Sequence, residues 1–82
     1  MRVELQKSAL KDLKSLDKPL RQRILQEIAT LENLPELPNI KKLTNHYPPF
    51  RMRVGEYRVL FDVEGDLLIV VNVKHRSEAY KK

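Results

Sequence analysis

The C-terminal half of this sequence gathers Arg51, Arg53, Arg58, Lys74, His75, Arg76 and Tyr80. A guanidinium group suits phosphate because its planar fork donates two parallel hydrogen bonds and never loses its charge. An imidazole, with an intrinsic pKa of about 6.5, can carry a proton near neutrality. Together such side chains can grip a phosphodiester and move a proton without a metal.

Other chemistries find little support. His46 and His75 are the two histidines, and neither has metal-ligand spacing around it, so no metal is expected. The chain has no cysteine, which excludes disulfides, thiolate sites and cysteine nucleophiles. No glycine-rich phosphate loop is present, and Ser8, Ser15 and Ser77 lie in no nucleophile-elbow context. No cofactor is expected.

The elements that must position these residues follow from periodicity. Arg51 and Arg53 alternate with Phe50, Met52 and Val54, as in a half-buried strand. In the next run Tyr57, Val59, Phe61 and Val63 share one face, and Glu56, Arg58, Leu60 and Asp62 the other. Leu67 to Val73 is nearly all apolar, as a central strand covered on both faces would be. Gly55 and Gly65, the two glycines, separate these runs and supply the positive φ of tight hairpin turns.

Upstream, Met1, Val3 and Leu5 mark a short strand. Ser8 is placed to cap a helix carrying Ala9, Leu13 and Leu16 on one face, with Lys11, Asp12 and Lys14 on the other. Asp17 and Pro19 open a second helix lined by Leu20, Ile24, Ile28 and Leu31, widened by Leu25 and Leu34 and stopped by Pro35 and Pro38. Residues 35–49 read as a loop, with Ile40 and Leu43 tucked toward the core. The expected fold is α+β, in the order β-α-α-β-β-β. It is a single domain over 1–82, with an antiparallel sheet and an N-terminal helical hairpin on one face.

Helices on the apolar face leave Arg51, Arg53 and Arg58 on the open one, with Lys74-His75-Arg76 where the last strand ends. The net charge of +5 on 82 residues has most of its surplus after residue 40. It points to a polyanion or an acidic protein partner. The plainer alternative is a solvated sheet face whose arginines pair with Glu56, Asp62 and Glu64. The N-terminus has no signal-like apolar region, and Leu67–Val71 is too short to cross a bilayer, so the cytoplasm is the expected compartment and no membrane contact is expected.

The segments Phe50-Arg51-Met52-Arg53-Val54-Gly55-Glu56-Tyr57-Arg58-Val59-Leu60-Phe61 and Val71-Asn72-Val73-Lys74-His75-Arg76-Ser77-Glu78-Ala79-Tyr80 resemble the RelE/ParE superfamily of type II toxins, most of all its RelE branch. That family shows a basic-x-basic strand, a Gly-x-Tyr-Arg hairpin and a closing His-Arg-Ser-x-x-Tyr. The Lys-x-Leu of Lys41-Lys42-Leu43 also recurs there. The likeness covers essentially the whole chain, including the order of elements.

The resemblance implies a ribosome-dependent, metal-independent endoribonuclease that cuts mRNA in the A site. The 2′-hydroxyl attacks the adjacent phosphate and leaves a 2′,3′-cyclic phosphate and a 5′-hydroxyl. Arg51 and Arg53 fall on the two basic strand positions. Arg58 follows the hairpin tyrosine, and Arg76 and Tyr80 fall on the closing pair. Arg58 and Arg76 are expected to clamp the scissile phosphate, and Tyr80 to stack on a base or take part in proton transfer. Lys41, Lys42, Lys74 and Lys81 are expected to contact RNA.

The chain departs from the best-known pattern, which has lysines at the two basic strand positions. Arginine cannot lose its proton, so Arg51 is a poor general base, and His75 is the better one if it faces the site. Its alternative is a structural hydrogen bond at the strand end. Tyr57, in phase with Val59 and Phe61, belongs to the core. Two rival functions share the fold: a ParE-like toxin that inhibits gyrase, and a non-catalytic RNA- or protein-binding module. The implied partners are an antitoxin, the ribosome with its mRNA, and operator DNA only through the antitoxin complex.

Overall fold

In the computed structural model, which describes residues 2–33, 40–42 and 45–78, the chain runs through β1 (Arg2–Leu5), α1 (Lys7–Lys14), α2 (Lys18–Thr30), a 3-10 turn (Leu31–Asn33), β2 (Ile40–Lys42), β3 (Phe50–Val54), β4 (Tyr57–Glu64) and β5 (Leu67–His75). The strands form one sheet in the order β1-β5-β4-β3-β2. β3, β4 and β5 are the expected antiparallel meander.

Two strand pairings differ from the sequence reading. β1 runs parallel to β5, from Arg2↔Leu67 to Leu5↔Val70, so the sheet is mixed rather than antiparallel. Alternation in β1 says which face is buried; either strand direction would bury Val3 and Leu5 equally well. Within the presumed loop, Ile40–Lys42 pairs antiparallel with β3 as an edge strand. Three residues, two of them lysines, carry no periodic signal. Leu34, Pro35, Pro38 and Leu43 lie outside the described residues.

The core lies between the helices and one sheet face. Ala9 and Leu13 from α1, Ile24 and Ile28 from α2, and Leu31 meet Met52, Val54, Val59, Phe61, Leu68, Val70 and Val73. Phe50 stacks on Phe61 with ring centroids 5.5 Å apart, and Tyr57 packs against the cluster as expected. α1 begins at Lys7 with Gln6 in the capping position. The Ser8 hydroxyl instead donates to the Val71 carbonyl on β5. The helical hairpin is closed by Arg21, whose guanidinium donates to the carbonyls of Leu13 (3.0 Å) and Leu16 (2.7 Å) at the end of α1. The Leu13 carbonyl also accepts the Leu16 N–H at 3.1 Å, and a cation at the C-terminal end of the helix suits its dipole.

β5 carries one extra residue. Leu60 pairs with Asn72 and Phe61 with Val70, so Val71 is bulged out of the ladder. The inward series Leu68, Val70 therefore resumes at Val73, and Leu67, Ile69 and Val71 stay half-exposed. The nearly continuous apolar run from Leu67 to Val73 reflects this change of phase and not cover on both faces.

β1 accompanies β5 only as far as Val70. Beyond it α1 takes over the open edge. Gln6 N–H donates to Val70 O at 3.0 Å. Asp12 accepts the Val73 N–H at 2.9 Å through one carboxylate oxygen and the Lys74 ammonium at 2.9 Å through the other. The sequence reading put Asp12 on the solvent side of α1; it is half-buried against β5. No helix among the described residues is long and apolar enough to cross a membrane.

Candidate active site

The register brings Arg51, Arg53 and Arg58 to one face. Arg51 stands opposite Leu60, and Arg53 directly opposite Arg58. Two like charges facing each other across a strand pair are unfavourable. Leu60, on the same face, is buried apart from the core cluster.

Arg58 is the centre of this arrangement. Its Nη1 donates to the carbonyls of Tyr57 (3.0 Å) and Gly55 (3.3 Å), which turns the side chain back toward the hairpin. Its Nε is buried and has no hydrogen-bond partner. The guanidinium pKa is held below the ordinary arginine value, first by desolvation and then by Arg51, Arg53 and Arg76, with Glu56 opposing them. The group stays charged, but it sits in a field of three cations that a bound anion would relieve.

Arg76 reaches the same cluster from the turn after β5. Its main-chain N–H donates to Glu56 O at 2.7 Å, and its Nε meets Glu56 Oε2 at 3.0 Å. Of the pairings that a plain solvated face would require, Glu56 with Arg76 is therefore present. It is exposed on both sides, and such pairs contribute little to stability.

The other candidates are dispersed. Tyr57 lies opposite His75 in the register, so His75 is on the helix side of the sheet and not on the arginine face. Its ring meets the Tyr57 ring edge-on at 5.3 Å. Its Nδ1 accepts the Ser77 N–H at 3.2 Å and lies 3.0 Å from the Ser77 hydroxyl. Because a backbone N–H can only donate, the neutral ring carries its proton on Nε2. This is the structural hydrogen bond at the strand end that the sequence left as the alternative. Lys74 shares the register face of Arg58, but its ammonium is tied to Asp12. Lys42 places its ammonium 5.9 Å from the centroid of Phe50, its register partner on the other face. Lys41 is opposite Arg51 in the register. Tyr80 and Lys81 lie outside the described residues.

Sequence reasoning missed three residues. Glu56 was counted only as a counter-ion. Arg23 of α2 places its guanidinium over the hairpin, 3.5 Å from where a Cβ on Gly55 would lie. Asp12 fixes the strand that leads to Arg76. The adjacency of Glu56 to Gly55 in a hairpin of arginines was a usable signal for the first; nothing in the spacing marks the other two.

A mixed sheet with a helical hairpin on one face and a guanidinium cluster on the other defines the class: a small α+β domain with an open cationic face. The family model for the ParE toxin of type II toxin–antitoxin systems matches residues 3–80, and the chain belongs to this RelE/ParE family of toxins. It is similar to Toxin RelE3 of Methanocaldococcus jannaschii, with 36% identity across 98% of this chain and 96% of that one. It resembles RelE in the RelB–RelE antitoxin–toxin complex from Methanococcus jannaschii (TM-score 0.74, 32% identity, 94% of each chain). It also resembles the toxin of the archaeal RelE–RelB complex from Pyrococcus horikoshii (TM-score 0.75, 30% identity, 95% of this chain and 97% of that one).

Proposed function

We propose that this toxin cleaves RNA, acting on mRNA held in the ribosomal A site, by metal-independent attack of a 2′-hydroxyl on the adjacent phosphate. The observation that carries this reading is the half-buried Arg58, with an unpartnered Nε and three arginines around it. Such a group is preorganised for the negative charge that develops on the phosphoryl oxygens. Arg58 and Arg76 clamp the scissile phosphate, and Arg51 and Arg53 hold the flanking backbone. Tyr80 stacks on a neighbouring base or shares in proton transfer. His75 acts as a positioning residue, bracing the turn of Arg76 through Ser77.

The open arginine face also suits an acidic antitoxin segment, in line with the RelB complexes of the structural relatives. Operator DNA would then be met through that complex. A gyrase-directed toxin is the second reading, favoured by the family model's ParE description.

The test incubates the purified protein with mRNA-programmed ribosomes and, separately, with gyrase and relaxed plasmid. Fragments ending in 2′,3′-cyclic phosphate, lost in Arg58→Ala and Tyr80→Phe, are expected, with supercoiling unaffected. Inhibited supercoiling without RNA fragments would establish the second reading instead. Binding without either activity would leave a non-catalytic module.

A further inference from the structure

Cleavage through a 2′-hydroxyl needs a group that removes its proton, and the residues gathered at the cluster narrow the choice. Arg51, Arg53, Arg58 and Arg76 do not give up a proton near neutrality. His75 lies on the opposite face, and its Nδ1, the unprotonated nitrogen, is taken by the Ser77 N–H. Among the charged groups that act on Arg58, three are arginines and one, Glu56, is a carboxylate.

Glu56 is held beside the guanidinium cluster. It sits in the β3–β4 hairpin beside Gly55, whose φ of +59° shapes the turn. The Arg76 N–H fixes its main chain, and Arg76 Nε fixes Oε2. Its Oε1 has no partner among the described residues, and neither do the two terminal nitrogens of Arg76. One carboxylate oxygen is thus anchored and the other is open, beside guanidinium N–H groups still able to take a phosphate. The charged groups around it are Arg76 from the turn after β5, paired with it at 3.0 Å, and Arg58 on β4, which Glu56, Arg51 and Arg53 all act on; Arg23 reaches over the adjoining Gly55 from α2.

We propose that Glu56 is the general base of the cleavage. This inference rests on the RNA-cleaving reading above. The 2′-O–H bond breaks, and its proton passes to Glu56 Oε1. The 2′-oxygen forms a bond to phosphorus, and the bond from phosphorus to the 5′-oxygen breaks. Water protonates the leaving 5′-oxygen, and the hydroxide so formed takes the proton back from Glu56. The carboxylate ends as it began.

The experiment measures single-turnover cleavage of mRNA in programmed ribosomes at increasing toxin concentration, for the wild type, Glu56→Gln and Glu56→Asp. Glu56→Gln is expected to lower the saturating rate by about 10²–10⁴-fold. The half-saturating concentration should stay unchanged or fall, since a negative charge leaves the cationic face. Glu56→Asp should recover part of the rate. Glu56→Gln cleaving within a few-fold of the wild type would overturn the assignment. So would a loss carried by the half-saturating concentration, which would mean that Glu56 only positions Arg76. If the wild type itself leaves mRNA intact, the RNA-cleaving reading fails and takes this one with it; if the wild type cleaves and Glu56→Gln does too, this one alone fails.

Discussion

Asp12 on α1 and Lys74 on β5 meet at 2.9 Å across 62 positions of sequence, and the same carboxylate accepts the N–H of Val73 at 2.9 Å. One side chain therefore stands in for the strand that β1 does not extend far enough to provide. Removing it leaves a backbone N–H and an ammonium without their acceptor. Asp12→Ala is expected to cost about 2–3 kcal/mol, and Asp12→Asn roughly half of that, because the amide oxygen can still accept from Val73. Lys74→Met should cost less than about 1 kcal/mol, since its side chain is 39% exposed. Urea denaturation with unchanged slopes checks the series.

Arg58 should trade stability for function. Arg58→Met removes an unsatisfied buried Nε and a charge crowded by three others, at the loss of two bonds to the hairpin carbonyls. Its unfolding free energy is expected to stay level or rise by up to about 1 kcal/mol. Cleavage should fall by at least about 10²-fold. A clear loss of stability in thermal melts would show that the arginine is a structural clamp.

Salt dependence should separate the two faces. Binding of a short single-stranded RNA, followed by fluorescence anisotropy over a KCl series, is expected to lose about 0.7 from its log–log slope in Arg51→Ala and again in Arg53→Ala. Lys42→Ala should leave the slope unchanged, because that ammonium lies over Phe50 on the other side of the sheet.

The two hairpin glycines should cost alike in stability and differ in function. Both have positive φ, +59° at Gly55 and +61° at Gly65. An added Cβ would meet only ordinary contact with Arg23 at the first and nothing at the second. Gly55→Ala and Gly65→Ala are each expected to destabilise by about 1–2 kcal/mol. Gly55→Ala alone should also depress cleavage, because the β3–β4 turn carries Glu56 and Arg58. Melting curves beside cleavage rates check both halves.

The face assignments of β3 and β4 were legible because period-2 alternation is a direct image of the pleat. Arg51, Arg53 and Arg58 fell where it put them. His75 was not, because its face depends on a bulge at Val71 that a nearly continuous apolar run conceals. The direction of β1 was hidden for a related reason, since a strand buries the same residues whichever way it runs. Asp12 was misplaced because a helical wheel shows only one neighbour, the core, whereas α1 also borders the free edge of β5. Glu56 was visible as a residue but not as a partner: its pairing with Arg76 joins a hairpin to a turn after a different strand.

The bulge at Val71 bears on how relatives of different length should be aligned. Because Val71 is the surplus residue of the ladder, a homologue lacking it would pair straight through, with Val73 still inward, Lys74 still outward and His75 still beside Tyr57. A gap of one belongs there, before the Lys-His-Arg segment, and not within it. An alignment that slid the closing motif by one position would exchange an imidazole for an ammonium and assign proton chemistry to the wrong side of the sheet.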